Sequence, residues 1–153
     1  MELTTFEKAV LEKLLYGEHP VLENLRFQLK QSRITSREFT GVGFFIHFGV
    51  DTKLVYEDVN FEIGDVDAKI DGVQYGVGFV LFIRQGRLFM LEGYTYDESW
   101  PENVTQYALY YMRPKTRQPL YGENIEQYTL SYESVDERDL TALFDKLIGC
   151  NVE

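Results

Sequence analysis

Asp97, Glu98 and Glu102 flank Trp100-Pro101 within the stretch GYTYDESWPE, residues 93–102. Carboxyl groups beside an aromatic platform have the composition of a sugar-cleaving site, where one acid protonates the leaving oxygen and a second attacks or activates water. That chemistry requires one carboxyl kept protonated by burial, whereas adjacent Asp-Glu in a polar loop is ordinarily solvated. The same residues have a second use, because Trp and Tyr dominate the energetics of protein interfaces. Tyr94, Tyr96, Asp97, Glu98, Trp100 and Glu102 therefore read as a partner-binding loop. The structural alternative for Trp100 is a ring folded back to plug an end of the sheet.

A second acidic run comprises Glu57, Asp58, Glu62, Asp65, Asp67 and Asp71. Its spacing matches no calcium-binding loop. As a solvated strand edge it would discourage edge-to-edge pairing; as a docking strip, Glu62, Asp67 and Asp71 would meet a basic partner. The phrase TGVGFFI at 40–46 recurs as YGVGFVL at 75–81. Glycine inside a strand costs about 0.5–1 kcal/mol relative to alanine, so its repeated use needs a reason. The structural reason is a bulge, a sharp twist, or an aromatic ring lying against the backbone. The functional one is a groove floor, with Gly43, His47 and Gly78 as ligand-binding positions. His47 is the better placed of the two histidines for acid–base work; His19, before Pro20, reads as a turn residue. Arg33, Arg37, Arg84 and Arg87 are too scattered along the chain to define an anion site.

No phosphate-binding glycine loop, dinucleotide fingerprint, zinc-protease helix or nucleophile elbow is present. The single cysteine, Cys150, excludes an internal disulfide and a multi-cysteine zinc site. No cofactor and no metal are expected. A formal charge of −10 repels phosphate backbones, which disfavours nucleic acid and anionic membrane as partners. The early charges Glu2, Glu7, Lys8, Glu12 and Lys13 are unlike a signal peptide, and no apolar run approaches the ~18 residues of a span. The cytoplasm is the expected compartment.

These residues must be positioned by one domain, 1–153, which is long enough to bury a core without staples. Thr4 with Glu7 forms a capping box before an apolar helical face at Phe6, Val10, Leu11, Leu14 and Leu15. After Gly17 and His19-Pro20, Val21, Leu22, Leu25 and Leu29 predict a second helix to about residue 31. Strands are predicted over 34–40, 42–50, 59–63 and 66–71, the last two as a hairpin on a sheet edge. Gln85-Gly86 then turns a hairpin spanning 77–92. A simple two-residue turn places Ile83 opposite Leu88, Leu81 opposite Met90, Phe82 opposite Phe89, Val80 opposite Leu91 and Gly78 opposite Gly93. Both hairpin faces would then be apolar, and the second needs a cover: the C-terminal segment, a partner, or another copy in a homodimer. Tyr107, Leu109 and Tyr111 predict a further strand, Tyr128, Leu130 and Tyr132 a last one. Asp136 is expected to cap a terminal helix bearing Leu140, Leu143, Phe144 and Leu147.

The fold class expected is α+β: an N-terminal helical hairpin packed on a mainly antiparallel, twisted sheet, with a C-terminal strand and helix. The function expected is non-enzymatic binding of a protein with a basic surface, as an inhibitor or immunity-type module. The alternative is a small-ligand-binding module or modest enzyme using the glycine-lined sheet face.

Overall fold

In the computed structural model, which describes residues 1–114 and 132–144, Thr4 opens helix α1 (Thr5–Leu14) with a reciprocal cap. Thr4 Oγ1 accepts from the Glu7 amide, and Glu7 Oε1 accepts from the Thr4 amide. Helix α2 (Pro20–Gln31) begins at His19, whose Nδ1 accepts from the Val21 amide at 3.2 Å. His19 is thus a helix cap, and its ring stacks on Phe144 with centroids 3.5 Å apart.

The strands are β1 (Arg33–Phe39), β2 (Gly43–Gly49), β3 (Phe61–Ile63), β4 (Val66–Ile70), β5 (Val77–Arg84), β6 (Arg87–Thr95), β7 (Tyr107–Pro114) and β8 (Tyr132–Val135). They form one antiparallel sheet in the order β1-β2-β6-β5-β4-β7-β8, with β3 joining β5 beside β4. A short helix, α3, occupies 140–144. The protein is therefore α+β, with both N-terminal helices and α3 on one face of the sheet. Among the described residues no helix is long and apolar enough to cross a membrane.

On the inner face, Phe44, Ile46, Phe79, Leu81, Ile83 and Leu91 are buried beneath Val10, Leu11, Leu14, Leu22 and Leu25. Each such side chain contributes roughly 1.5–3 kcal/mol of apolar transfer energy. Arg37 of β1 reaches the same face and pairs with Glu7, tying the first helix to the sheet edge.

The structure corrects three sequence expectations. The segments around Glu62 and Asp67 are not an edge hairpin. Strands β3 and β4 run in line along β5, Phe61–Ile63 opposite Ile83 to Leu81 and Asp67 opposite Gly78, and β4 lies inside the sheet between β5 and β7. Gly64-Asp65 inserts one residue there, which is why Ile63 and Val66, three apart, both point into the core. The β5–β6 register also differs. Ile83 does pair with Leu88, but a bulge follows, so Leu81 pairs with Leu91, Phe82 with Met90, Val80 with Glu92 and Phe79 with Gly93. A one-residue insertion exchanges the faces of everything beyond it. Finally, the α3 cap is Asp139, whose carboxylate accepts from the Ala142 amide at 3.0 Å, rather than Asp136. Tyr128, Leu130, Leu147 and Cys150 lie outside the described residues.

Candidate functional site

The outer sheet face, opposite the helices, is shaped by those two bulges, and each is pinned from a distance. Gln28 of α2 is fully buried; its side-chain oxygen accepts from the Leu88 amide at 3.0 Å and its nitrogen donates to the Gly86 carbonyl at 2.8 Å. It therefore gives partners to one carbonyl of the Gln85-Gly86 turn and one amide at the start of β6, ahead of the stretch that pairs with β2 from Met90 onward. At the other bulge, Arg138 donates to both Asp65 carboxylate oxygens, at 2.9 and 2.8 Å, while Asp65 O accepts from the Met112 amide at 2.7 Å. Together the bulges turn Tyr94 and Asp67 outward.

One row of paired residues then crosses β2, β6, β5, β4 and β7: Gly43, Tyr94, Gly78, Asp67, Tyr110. The glycine at its centre has a definite reason. A Cβ at Gly78 would sit 2.5 Å from the Tyr94 ring, so the ring occupies the room the glycine leaves and leans across β5 toward β4. Gly43 lies under the Gly93 carbonyl, with no space for a side chain. Tyr96, next outward on the chain, donates from its hydroxyl to Asp67 Oδ2 at 3.0 Å and meets Tyr94 edge-on at 5.6 Å between centroids. Asp67 thus sits among Tyr94, Tyr96 and Tyr110. A cleft of about 620 Å³ opens beside it, lined by Glu62, Asp67, Tyr94, Tyr96, Met112 and Tyr132 among others. It lies where the sheet forks: β3 stays with β5, while the end of β7 continues with β8.

Burial raises the Asp67 pKa above the usual aspartate value, and the Tyr96 hydrogen bond offsets this only in part. Burial likewise raises Glu92, which lies between Phe45 and Val80 on the adjoining strands. Tyr94, Tyr96 and Tyr110 are all raised, by burial first and then by the negative charge of Asp67. All three stay neutral, so they present hydroxyl donors and negative ring faces around a partly desolvated carboxylate. Among the described residues no Lys or Arg forms an ion pair with Asp67 or Glu92. Nor, among them, is any cluster of His, Cys, Asp and Glu placed to hold a metal ion.

The remaining residues singled out from the sequence divide. Glu62 stands on the outer face but is paired with Arg84 at 2.7 Å. His47 is on the outer face too, edge-on to the exposed Phe89 ring at 5.9 Å. Asp71, Asp97 and Glu102 are exposed, away from the row. Trp100 turns back to the core, 5.1 Å from Phe44 and 6.5 Å from Phe6 between centroids, with its amide on the Gly41 carbonyl. Glu98 is a clamp: its carboxylate accepts from the Gln74 amide at 2.8 Å and the Tyr75 amide at 2.9 Å, joining the 96–102 loop to the β4–β5 connection. Glu98→Ala is expected to cost about 1 kcal/mol, as charge-assisted bonds at an exposed site do. Hydrogen exchange at the Gln74 and Tyr75 amides should quicken while the core strands keep their protection. Unchanged exchange at those amides would show that the clamp is absent in solution.

The sequence pattern does not single out Tyr110 or Glu92. Tyr110 stands out of phase with Tyr107, Leu109 and Tyr111, and a tyrosine on the polar phase of a strand was the available signal. Glu92 could not be placed without the bulge. The chain matches no protein-family model, and no curated protein or solved structure is significantly similar to it.

Proposed function

We propose that this protein is a non-enzymatic binding module, of the inhibitor or immunity type, whose outer sheet face receives a basic segment of a partner protein in the cytoplasm. The observation that carries this reading is the half-buried Asp67 carboxylate, ringed by Tyr94, Tyr96 and Tyr110 and paired with no cation among the described residues. A partly desolvated carboxylate costs free energy until an opposite charge arrives. Tyrosine faces add cation–π attraction of about 0.5–2 kcal/mol for an ammonium or guanidinium. The net charge of −10 steers a basic partner toward the chain. Met90, Phe82 and Val80 beside the row supply apolar contact.

Asp67→Asn separates this role from a structural one. Because the folded pKa is raised, the folded state binds the proton more tightly than the unfolded chain does. The stability contributed is present at low pH and is lost as pH rises from the ordinary aspartate value through the folded one. Removing the charge should therefore raise Tm at pH 7 while weakening capture of lysine- or arginine-bearing peptides about tenfold. A residue that is costly to the fold and needed for binding has this signature. Capture by the parent protein should also fade on acidification through the raised pKa. Peptide titrations followed by NMR at the tyrosine rings would read both effects. Equal affinity for acidic peptides, or capture unaltered in Asp67→Asn, would overturn the reading. So would sedimentation showing that this face is closed by a second copy.

A further inference from the structure

The geometry points to a second site: a cleft at the opposite end of the outer face that binds an oxyanion of the phosphate class. Arg33, Arg84 and Arg87, scattered in sequence, line one cavity of about 600 Å³ with Gly49, Asp51 and Phe89. Arg84 and Arg87 are directly paired residues across the β5–β6 turn. Opposed positions place Cβ atoms about 4.5–5.5 Å apart, and like charges there are destabilising. Arg84 is held by Glu62 at 2.7 Å and by the Ile83 carbonyl at 2.9 Å, while the only described bond of the Arg87 guanidinium goes to the neutral Gln85 side chain at 3.0 Å. The Arg33 side chain lies over Gly49, close enough that a Cβ there would meet its Nε at 3.3 Å. Among the described residues its guanidinium has no ion pair.

Three arginines thus line a cleft, Arg84 with its guanidinium already turned to Glu62 and Arg33 and Arg87 without an ion pair among the described residues; its one acidic lining residue, Asp51, accepts from the Lys53 amide at 2.9 Å. In a chain of net charge −10 this is a local reversal of sign, and forked N–H donors match phosphate oxygens. The C-terminal end of α2 at Gln31 also borders the cleft and attracts cations. None of the described hydrogen bonds from Arg84 and Arg87 reaches it; they go to Glu62, Gln85 and strand carbonyls. Phe89 and Val50 give the cleft an apolar wall, which suits an oxyanion carried on an organic group.

Calorimetry and phosphorus NMR with inorganic phosphate, phenyl phosphate and a phosphoserine peptide test the site, with sodium chloride at matched ionic strength as control. Saturable binding is expected. The Arg33→Gln, Arg87→Gln double variant should weaken it at least tenfold without altering capture of basic peptides. Gly49→Ala, which crowds the Arg33 side chain, should weaken it by a smaller factor. Tighter binding of phenyl phosphate assigns a small-molecule ligand, and tighter binding of the peptide assigns a modified protein. Phosphate binding no stronger than chloride, or equal in the double variant, would overturn the site. Loss of stability in that variant with phosphate binding unchanged would likewise overturn it, leaving the arginines as partners of the α2 terminus.

Discussion

Gln28→Leu is expected to destabilise the protein by about 2–4 kcal/mol and to loosen the outer face with it. The substitution is nearly isosteric and places an apolar group at a fully buried position on the apolar stripe of α2, so simple hydropathy predicts a gain. The hydrogen bonds decide otherwise. Gln28 is the side-chain partner of the Leu88 amide and the Gly86 carbonyl, both at the turn end of β6, where no β2 residue pairs with it. A buried backbone group left without a partner costs about 1–3 kcal/mol, and here there are two. Part of that cost is offset by the apolar gain. The same bonds anchor the turn end of β6, directly beside the bulge. Without the bulge, the pairing read directly from the two-residue turn becomes available, and in it Met90 and Tyr94 exchange faces with Leu91 and Gly93. Urea denaturation should give the lower stability, and hydrogen exchange should show the Leu88 amide opening first. A loss below about 0.5 kcal/mol would mean that the bulge is held by strand pairing alone.

That competition explains what could be read from the sequence and what could not. Alternation of apolar residues located the strands, because burial imposes a period of two. The capping box at Thr4 and Glu7, and Pro20 at the first turn of α2, marked both helices by local chemistry. The bulges are not local. One lies beside the backbone groups held by Gln28, which is distant in sequence and a polar residue within an apolar stripe. The other depends on Arg138, far along the chain. The pause in alternation at Gly64-Asp65 was visible, yet a turn and a bulge produce the same pause. Hence composition alone marks Asp67 and Tyr94 in the sequence, as parts of an acidic strip and an aromatic loop, while their meeting across Gly78 depends on register. Trp100 illustrates the converse. Its residue type allows either an anchor or a ring folded back on the sheet, and the apolar corner of Phe44 and Phe6, distant in sequence, is what the ring fills.

Gly78→Val should weaken capture of basic peptides by about a hundredfold, some 2.7 kcal/mol, while changing stability by no more than about 1 kcal/mol. The unequal outcome follows from what lies above the glycine. A Cβ there meets the Tyr94 ring at its outer end, the Cζ and hydroxyl, at 2.5 Å. The outer end of a tyrosine can swing away without moving the strand, so the fold yields cheaply. Valine also recovers the roughly 0.5–1 kcal/mol that glycine costs in a strand. What cannot be kept is the ring position over β5, beside Tyr96 and Asp67, on which the aromatic surround depends. Tyr94→Ala provides the second arm of a double-mutant cycle. If valine acts by expelling the ring, adding Tyr94→Ala to Gly78→Val should weaken binding little further, a coupling close to the whole effect of either change alone. Strictly additive losses would assign Gly78 a role independent of Tyr94 and would remove the ring from the recognition surface. A large stability loss would instead show that the ring is packed too firmly to move, making the row a structural strut rather than a site.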